Sequence, residues 1–229
     1  FMHMVDRQLG ETIALLKELE IDDNTIIFLS GDNGGQDYFK TDERPHGFFG
    51  PNLNPNTGER FRAGKGSLYE GGLKVPYLVR WPGKIKAGTV SDHVLCFQDV
   101  MPTLAALTNA TCPETDGLSF KPTLLDEAGQ QTHSHLYWEY GNQTAVRMDQ
   151  WKAYRGKNRN WELYDLSDDI EEKRDVSSDH PEILHQLIAY AQQDHQPVRR
   201  GEVYDREVIE KDRRQAPHNR KPKPTKPGE

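Results

Sequence analysis

Apolar side chains at Val5, Leu9, Ile13, Leu16 and Leu19 recur every three or four residues, with Asp6, Arg7, Glu11, Lys17 and Glu18 falling between them. That spacing predicts a helix over residues 2–20 with one apolar face. Gly10 weakens it by about 1 kcal/mol relative to alanine, which the length absorbs. After the connection Ile21-Asp-Asp-Asn24 the pattern changes to an unbroken run, Thr25-Ile-Ile-Phe-Leu29. Such a run, rich in β-branched residues, suits a strand buried on both faces of a parallel sheet. Helix, short loop and strand together make an αβ unit.

Residues 36–62 show no periodicity and carry Pro45, Pro51 and Pro55 with Gly47, Gly50 and Gly58, which predicts a long loop. Val75-Pro-Tyr-Leu-Val-Arg-Trp81 reads as a second strand. Pro76 confines it to an edge or stands as its first residue, and Trp81-Pro-Gly83 stops it. Residues 98–108 predict a helix with Leu104, Ala105 and Leu107 inward. From 134 onward the runs 136–139, 144–148, 151–154 and 162–165 are short and aromatic-rich, as in an antiparallel meander. Pro181 opens a helix whose Ile183, Leu184, Leu187, Ile188 and Ala191 can cover one face of it. Past Val198 the chain is charged and proline-rich and cannot bury enough apolar surface to fold alone. The expected organisation is an α/β part of a doubly wound sheet over 1–130, a small antiparallel β subdomain with a packed helix over 131–198, and a disordered tail over 199–229.

The net charge of −7 argues against nucleic acid as the main partner. No apolar run reaches the roughly 20 residues of a membrane helix. Two cysteines, Cys96 and Cys112, make no disulfide framework. The chain opens inside a helical pattern without a capping residue, so it reads as the later part of a longer polypeptide. The lack of a signal peptide then says little about location.

Candidate chemistry lies at the end of the first strand, in Gly31-Asp32-Asn33-Gly34-Gly35. The glycines permit a sharp turn and a close backbone approach, and the strand end is where open α/β folds keep ligands. The alternative is an ordinary Asx turn. Asp32 and Asn33 offer hard oxygens, which suit Ca²⁺ or Mg²⁺ better than Zn²⁺. Downstream, Gly64-Lys65-Gly66 sets an ammonium on a free backbone, able to hold an anionic oxygen or, alternatively, to pair with Glu70. These groups describe half of a site for a tetrahedral oxyanion. In the long loop, Arg44, His46 and the Phe48-Phe49 pair are candidates for a substrate pocket, or for a surface excursion packed by its own aromatics.

Gly31-Asp32-Asn33-Gly34-Gly35, then Phe61-Arg-Ala-Gly-Lys65-Gly-Ser-Leu-Tyr-Glu-Gly-Gly72, then Val75-Pro and Val79-Arg-Trp-Pro-Gly83 resemble the later half of a type I sulfatase of the arylsulfatase family, as far as about residue 195. The resemblance implies an alkaline-phosphatase-like α/β fold and hydrolysis of sulfate esters of sugars or other small molecules, with neither nucleic acid nor a membrane as partner. It implies Asp32 and Asn33 as ligands of a divalent cation, usually calcium, Lys65 as a contact to the substrate sulfate, and a periplasmic or secreted location. The family's nucleophile is a formylglycine in a Cys/Ser-x-Pro-x-Arg motif. This sequence contains no such motif and lacks the family's early aspartate pair, so both are expected upstream, and the chain alone is expected to be inactive and prone to aggregate. One rival is a phosphatase or phosphodiesterase of the same superfamily, which commonly has Asp-His where this chain has Asp32-Asn33. The other is a non-catalytic binding domain with a vestigial site.

Overall fold

The chain opens with helix α1 (Met2–Glu18), followed by a single 3-10 turn at Asp22–Asn24 and strand β1 (Ile27–Ser30). The structure is a computed structural model that describes residues 2–45, 51–157, 159–201, 208, 209 and 211. His46 and Phe48-Phe49 lie outside the described residues. The predicted α1 stripe is present but thinly covered: Val5, Leu9, Ile13 and Leu16 are half-buried, and Leu19, past the helix end, is exposed.

β1 pairs with β2 (Tyr77–Arg80) in antiparallel fashion, Ile27 opposite Arg80 and Ser30 opposite Tyr77. The expectation of a parallel strand buried on both faces is corrected here. This sheet has two strands, and all four β1 residues are half-buried. Phe28 and Tyr77 pack edge-on against Phe120, which covers one side of the pair. Arg80 makes a two-pronged contact with Asp22, at 2.6 and 2.8 Å, that ties β2 to the turn before β1. Those hydrogen bonds hold the Asp22 carboxyl below its ordinary value.

Helix α2 (Glu70–Leu73) is one turn long, and helix α3 (Val100–Thr108) follows a 3-10 turn at Phe97–Asp99. Asp99 Oδ2 accepts from Cys96 N at 2.8 Å, anchoring the start. The inward residue of α3 is Thr103, and Leu104, expected inside, is exposed. Thr103 tolerates burial because its hydroxyl donates to Asp99 O (2.6 Å) and accepts from Phe120 N (2.9 Å). Helix α4 (Lys121–Leu125) leads out of this region.

Strands β3 (Leu136–Tyr140), β4 (Gln143–Met148), β5 (Trp151–Arg155) and β6 (Glu162–Asp165) form the expected meander, each antiparallel to the next. Val146, Ala153 and Leu163 stand in register on one face and pack against Leu187 and Ala191 of helix α5 (Pro181–Asp194). Burying Leu187 completely contributes about 1.5–3 kcal/mol. Ala145, Tyr154 and Tyr164 point to the other face, as the two-residue period requires. There they pack on Leu68, Tyr69 and Leu73. The meander therefore lies between α5 and the segment that follows Lys65.

Residues 1–191 form one compact unit and residues 192–229 a second. Of the second unit, residues 192–194 end α5, and residues 208, 209 and 211 are helical.

Candidate functional site

The turn after β1 is held against a loop thirty or more residues further along the chain. Gly34 N donates to Gly72 O, and Lys65 N donates to Gly35 O, both at 2.9 Å. A Cβ on Gly34 would lie 1.7 Å from Gly71 O, so only glycine lets these backbones touch. Gly31, Gly34 and Gly35 have no positive φ. Close approach, and not a left-handed turn, is what these glycines supply. The two glycines flanking Lys65 divide the roles. A Cβ on Gly64 would meet Gly35 O at 2.3 Å, whereas Gly66 has φ of 89°.

The sequence-predicted residues sit around this contact. Asp32 is exposed, and its carboxylate has no hydrogen bond or ion pair among the described residues. Asn33 Nδ2 donates to Gly34 O at 2.9 Å, which leaves Oδ1 for a ligand. Two adjacent hard oxygen donors without protein partners suit a hard divalent cation. The Lys65 side chain is exposed. Its alternative partner is taken, because Glu70 pairs with Lys152. His46 lies outside the described residues.

Asn52 joins the segments and was not singled out by its sequence. Its Nδ2 lies 3.2 Å from Gly35 O, 3.1 Å from Ala63 O and 3.2 Å from Gly71 O, while Oδ1 accepts from Gly35 N at 3.1 Å. One amide thus bridges the turn after Asn33, the residue before Gly64, and helix α2. As one asparagine in an Asn-Leu-Asn-Pro-Asn run, it carries no signal that sets it apart.

The Lys65 loop is also fastened to the meander. Lys152 on β5 is fully buried, with Nζ 2.7 Å from Glu70 Oε1 and 2.9 Å from Glu172 Oε1. Glu172 Oε2 accepts from Glu70 N at 2.7 Å. Burial raises the Glu70 carboxyl, but Lys152 outweighs it and holds the group below its ordinary value. For Glu172, burial and the neighbouring Glu70 charge prevail over Lys152, and the carboxyl is raised. One ammonium thus serves two carboxylates, and the strain falls on Glu172.

Arg62 stacks 3.9 Å over the Tyr69 ring, and its Nη1 donates to Tyr164 Oη (2.7 Å) and Glu172 O (2.6 Å). The hydroxyls of Tyr69 and Tyr164 both donate to Glu162 Oε2, at 2.8 and 2.7 Å. Burial, then Glu162, raises both phenols, so they stay neutral donors. Gln143 completes the fastening. Its Nε2 donates to Gly66 O at 3.0 Å, and its Oε1 accepts from Leu68 N and Tyr154 Oη, each at 3.1 Å. Beside it opens a cavity of about 470 Å³ lined by Arg62, Tyr69, Asn142, Tyr154, Lys157 and Arg159 among others.

A second cluster brings Cys96, Asp99 and His133 ligand atoms within 4.8 Å of one another. Asp99 is already occupied: Oδ2 by Cys96 N, and Oδ1 by Leu118 N and His133 Nε2, each at 2.8 Å. Burial, with Asp99 beside it, pushes the Cys96 thiol up to about 12. A protonated thiol is a poor metal ligand. Both cysteines are free. This cluster holds the start of α3 to the following loop.

Residues 1–110 match the family model described as Sulfatase, and residues 58–196 match the model described as N-sulphoglucosamine sulphohydrolase, C-terminal. The chain belongs to the sulfatase family. An N-acetylgalactosamine-6-O-sulfatase of Bacteroides thetaiotaomicron is 31% identical over 206 residues, covering 80% of this chain and 39% of that protein. The N-acetylgalactosamine-6-sulfatase of Homo sapiens is 32% identical, covering 66% of this chain and 27% of its own length. The solved structure of Ps i-CgsB in complex with k-i-k-neocarrahexaose superposes with a TM-score of 0.68 at 28% identity, covering 92% of this chain and 45% of that one. The α/β class with its antiparallel subdomain and packed helix is thus a sulfatase architecture, and the chain spans less than half the length of these relatives.

Proposed function

We propose that the protein containing this chain hydrolyses sulfate esters of sugars or of comparable small molecules. Asp32 and Asn33 supply two oxygens to a divalent cation, calcium or magnesium, and Lys65 binds a sulfate oxygen. The observation that carries this reading is the hydrogen bond from Lys65 N to Gly35 O, which sets the Lys65 loop against the turn bearing Asp32 and Asn33. Asn33 adds a ligand atom without adding charge, so the pair leaves a divalent ion net positive toward a bound anion. When bound, the ion would draw negative charge from the sulfate oxygens. Lys65 adds a fixed positive charge from the other side of the backbone contact, and Asn52 keeps the two segments in register.

Relatives named as N-acetylgalactosamine-6-sulfatases, and a related structure that holds a neocarrahexaose, support a sugar sulfate as substrate. The reading includes a formylglycine nucleophile outside this chain and an exported location, periplasmic or secreted. The phosphatase alternative is disfavoured by the amide at Asn33, where two-metal hydrolases need nitrogen ligands. The test is turnover of matched sulfate and phosphate esters by the full-length protein. Sulfate ester cleavage that stops with chelator and returns with calcium is expected. Faster cleavage of the phosphate ester, or sulfate turnover indifferent to Lys65→Ala, would overturn the reading.

A further inference from the structure

The cavity beside Gln143 has a composition that the sulfate-binding groups do not use. Lys157 and Arg159 line it from the segment after β5, both exposed, and their charged ends make no ion pair or hydrogen bond among the described residues. Asn142, at the β3–β4 turn, adds an amide that is equally uncommitted. Arg62 lines the wall with Nη1 engaged, and no hydrogen bond holds Nη2 or Nε among the described residues. Glu162, which does not line the cavity, accepts both tyrosine hydroxyls on Oε2. What faces the space is therefore cationic and donor-rich, in a chain whose net charge is −7. Its volume of about 470 Å³ falls in the range of small-ligand pockets.

Its position is fixed relative to Lys65. Gln143 lines the cavity and donates to Gly66 O at 3.0 Å, one residue past Lys65, where neighbouring Cα atoms are about 3.8 Å apart. The cavity and the Lys65 loop are thus joined through Gln143.

We propose that this cavity binds a second anionic group, sulfate or carboxylate, on an oligosaccharide that presents a sulfate ester to Lys65 from another of its residues. The inference rests on the sulfatase reading for its substrate class. Lys157 and Arg159 supply charge-assisted contacts to the anion, and Asn142 supplies a donor to a hydroxyl or ring substituent. These residues set specificity for chain length and charge and take no part in bond breaking.

The test is calorimetric binding to the full-length protein with chelator present, where cleavage of the sulfate ester is expected to stop. The probes are a chondroitin 6-sulfate tetrasaccharide, its carboxyl-reduced form, and a form bearing one sulfate. Loss of the anion that the cavity accepts is expected to weaken binding about tenfold. Whichever of the two altered probes shows the loss identifies carboxylate or sulfate. Lys157→Ala/Arg159→Ala is expected to weaken the parent tetrasaccharide by a similar factor and to abolish discrimination among the three. Equal binding of all three by the unaltered protein, no measurable binding, or discrimination that survives in the double variant would overturn the proposal. A protein that binds selectively but cleaves no sulfate ester would refute the sulfatase reading and leave the cavity assignment standing.

Discussion

Lys152 offers the sharpest perturbation of the physical account. Its ammonium has no exposure to solvent and lies against Glu70 and Glu172, themselves almost entirely buried. Lys152→Met keeps most of the stem volume and removes the charge, leaving two buried carboxylates without a cation. Breaking a buried pair on one side costs about 3–5 kcal/mol at neutral pH. At roughly 2 °C per kcal/mol, Tm falls by about 6–10 °C. The pH dependence separates charge from packing. In the unaltered protein Glu70 titrates below its ordinary value, so its stabilisation is present above the unfolded pKa of 4.5 and is lost only as pH falls through the lower folded value. Glu172 is raised already in the unaltered protein, and without Lys152 both carboxyls titrate above their ordinary value, Glu70 having changed direction. The native state then binds extra protons between the unfolded and the raised folded values, and stability recovers as pH falls through that window. Thermal melts of full-length protein at pH 7, 6 and 5 should therefore show the two curves converging. Lys152→Met/Glu70→Gln/Glu172→Gln should recover much of the loss at pH 7, because a neutral cluster has no charge to strand. A deficit that stays constant from pH 7 to pH 5 would mean that the lysine acts through packing alone and would refute the electrostatic reasoning.

Asn52→Ala removes four hydrogen-bond contacts and is expected to cost about 2–4 kcal/mol. Faster amide exchange at Gly35 and Lys65 in the variant would check that the loss is local to the joined segments. Lys65→Ala is expected to lower kcat for a sulfate ester by roughly 10²–10³, while a melt shifted by less than about 0.5 kcal/mol shows that the exposed side chain has no structural role. Gly34→Ala drives a Cβ into Gly71 O and is expected to separate the turn from α2, with loss of calcium-dependent turnover and a lower Tm. Cys96, with its thiol pushed up to about 12 by burial and Asp99, should resist alkylation at pH 8 until the protein is unfolded, as read by mass spectrometry of its peptide.

The meander was legible because its signals are local. Its strands are short aromatic-rich runs, and Gly141 and Asp149 take positive φ where the chain reverses between them. The apolar positions of α5 were legible for the same reason, with Leu187 and Ala191 inward at a spacing of four. The α3 face came out one position wrong because Thr103 looks polar in sequence, and only its two partners, one of them in Phe120, make it a core residue. β1 was readable as a strand but not in its direction, since a run of apolar residues carries no information about the orientation of a partner fifty residues away. Lys152 had no signal at all. It sits in a strand buried on both faces, and what fixes it is a carboxylate 82 positions earlier.

The glycines hold the more general lesson about the site. As turn formers, Gly34-Gly35 and Gly71-Gly72 would be two unrelated features of two loops. The contacts a Cβ would make show instead a division of labour: Gly34 clears Gly71 and Gly72, Gly64 clears Gly35 O, and Gly71 and Gly72 let the Lys65 loop close on its own residues 62–67, with Gly34 N on Gly72 O and Gly35 O under Lys65 N. Side chains at these positions would hold the backbones apart by the radius of a methyl group, and the Lys65 loop would lose its purchase on the turn that carries Asp32 and Asn33. Gly34 in the turn and Gly64 in the loop are thus the positions where backbone lies on backbone across the junction. In this chain that junction joins an acidic turn to a basic loop, and the buried Glu70, one residue before the second pair, extends it to Lys152 in the meander.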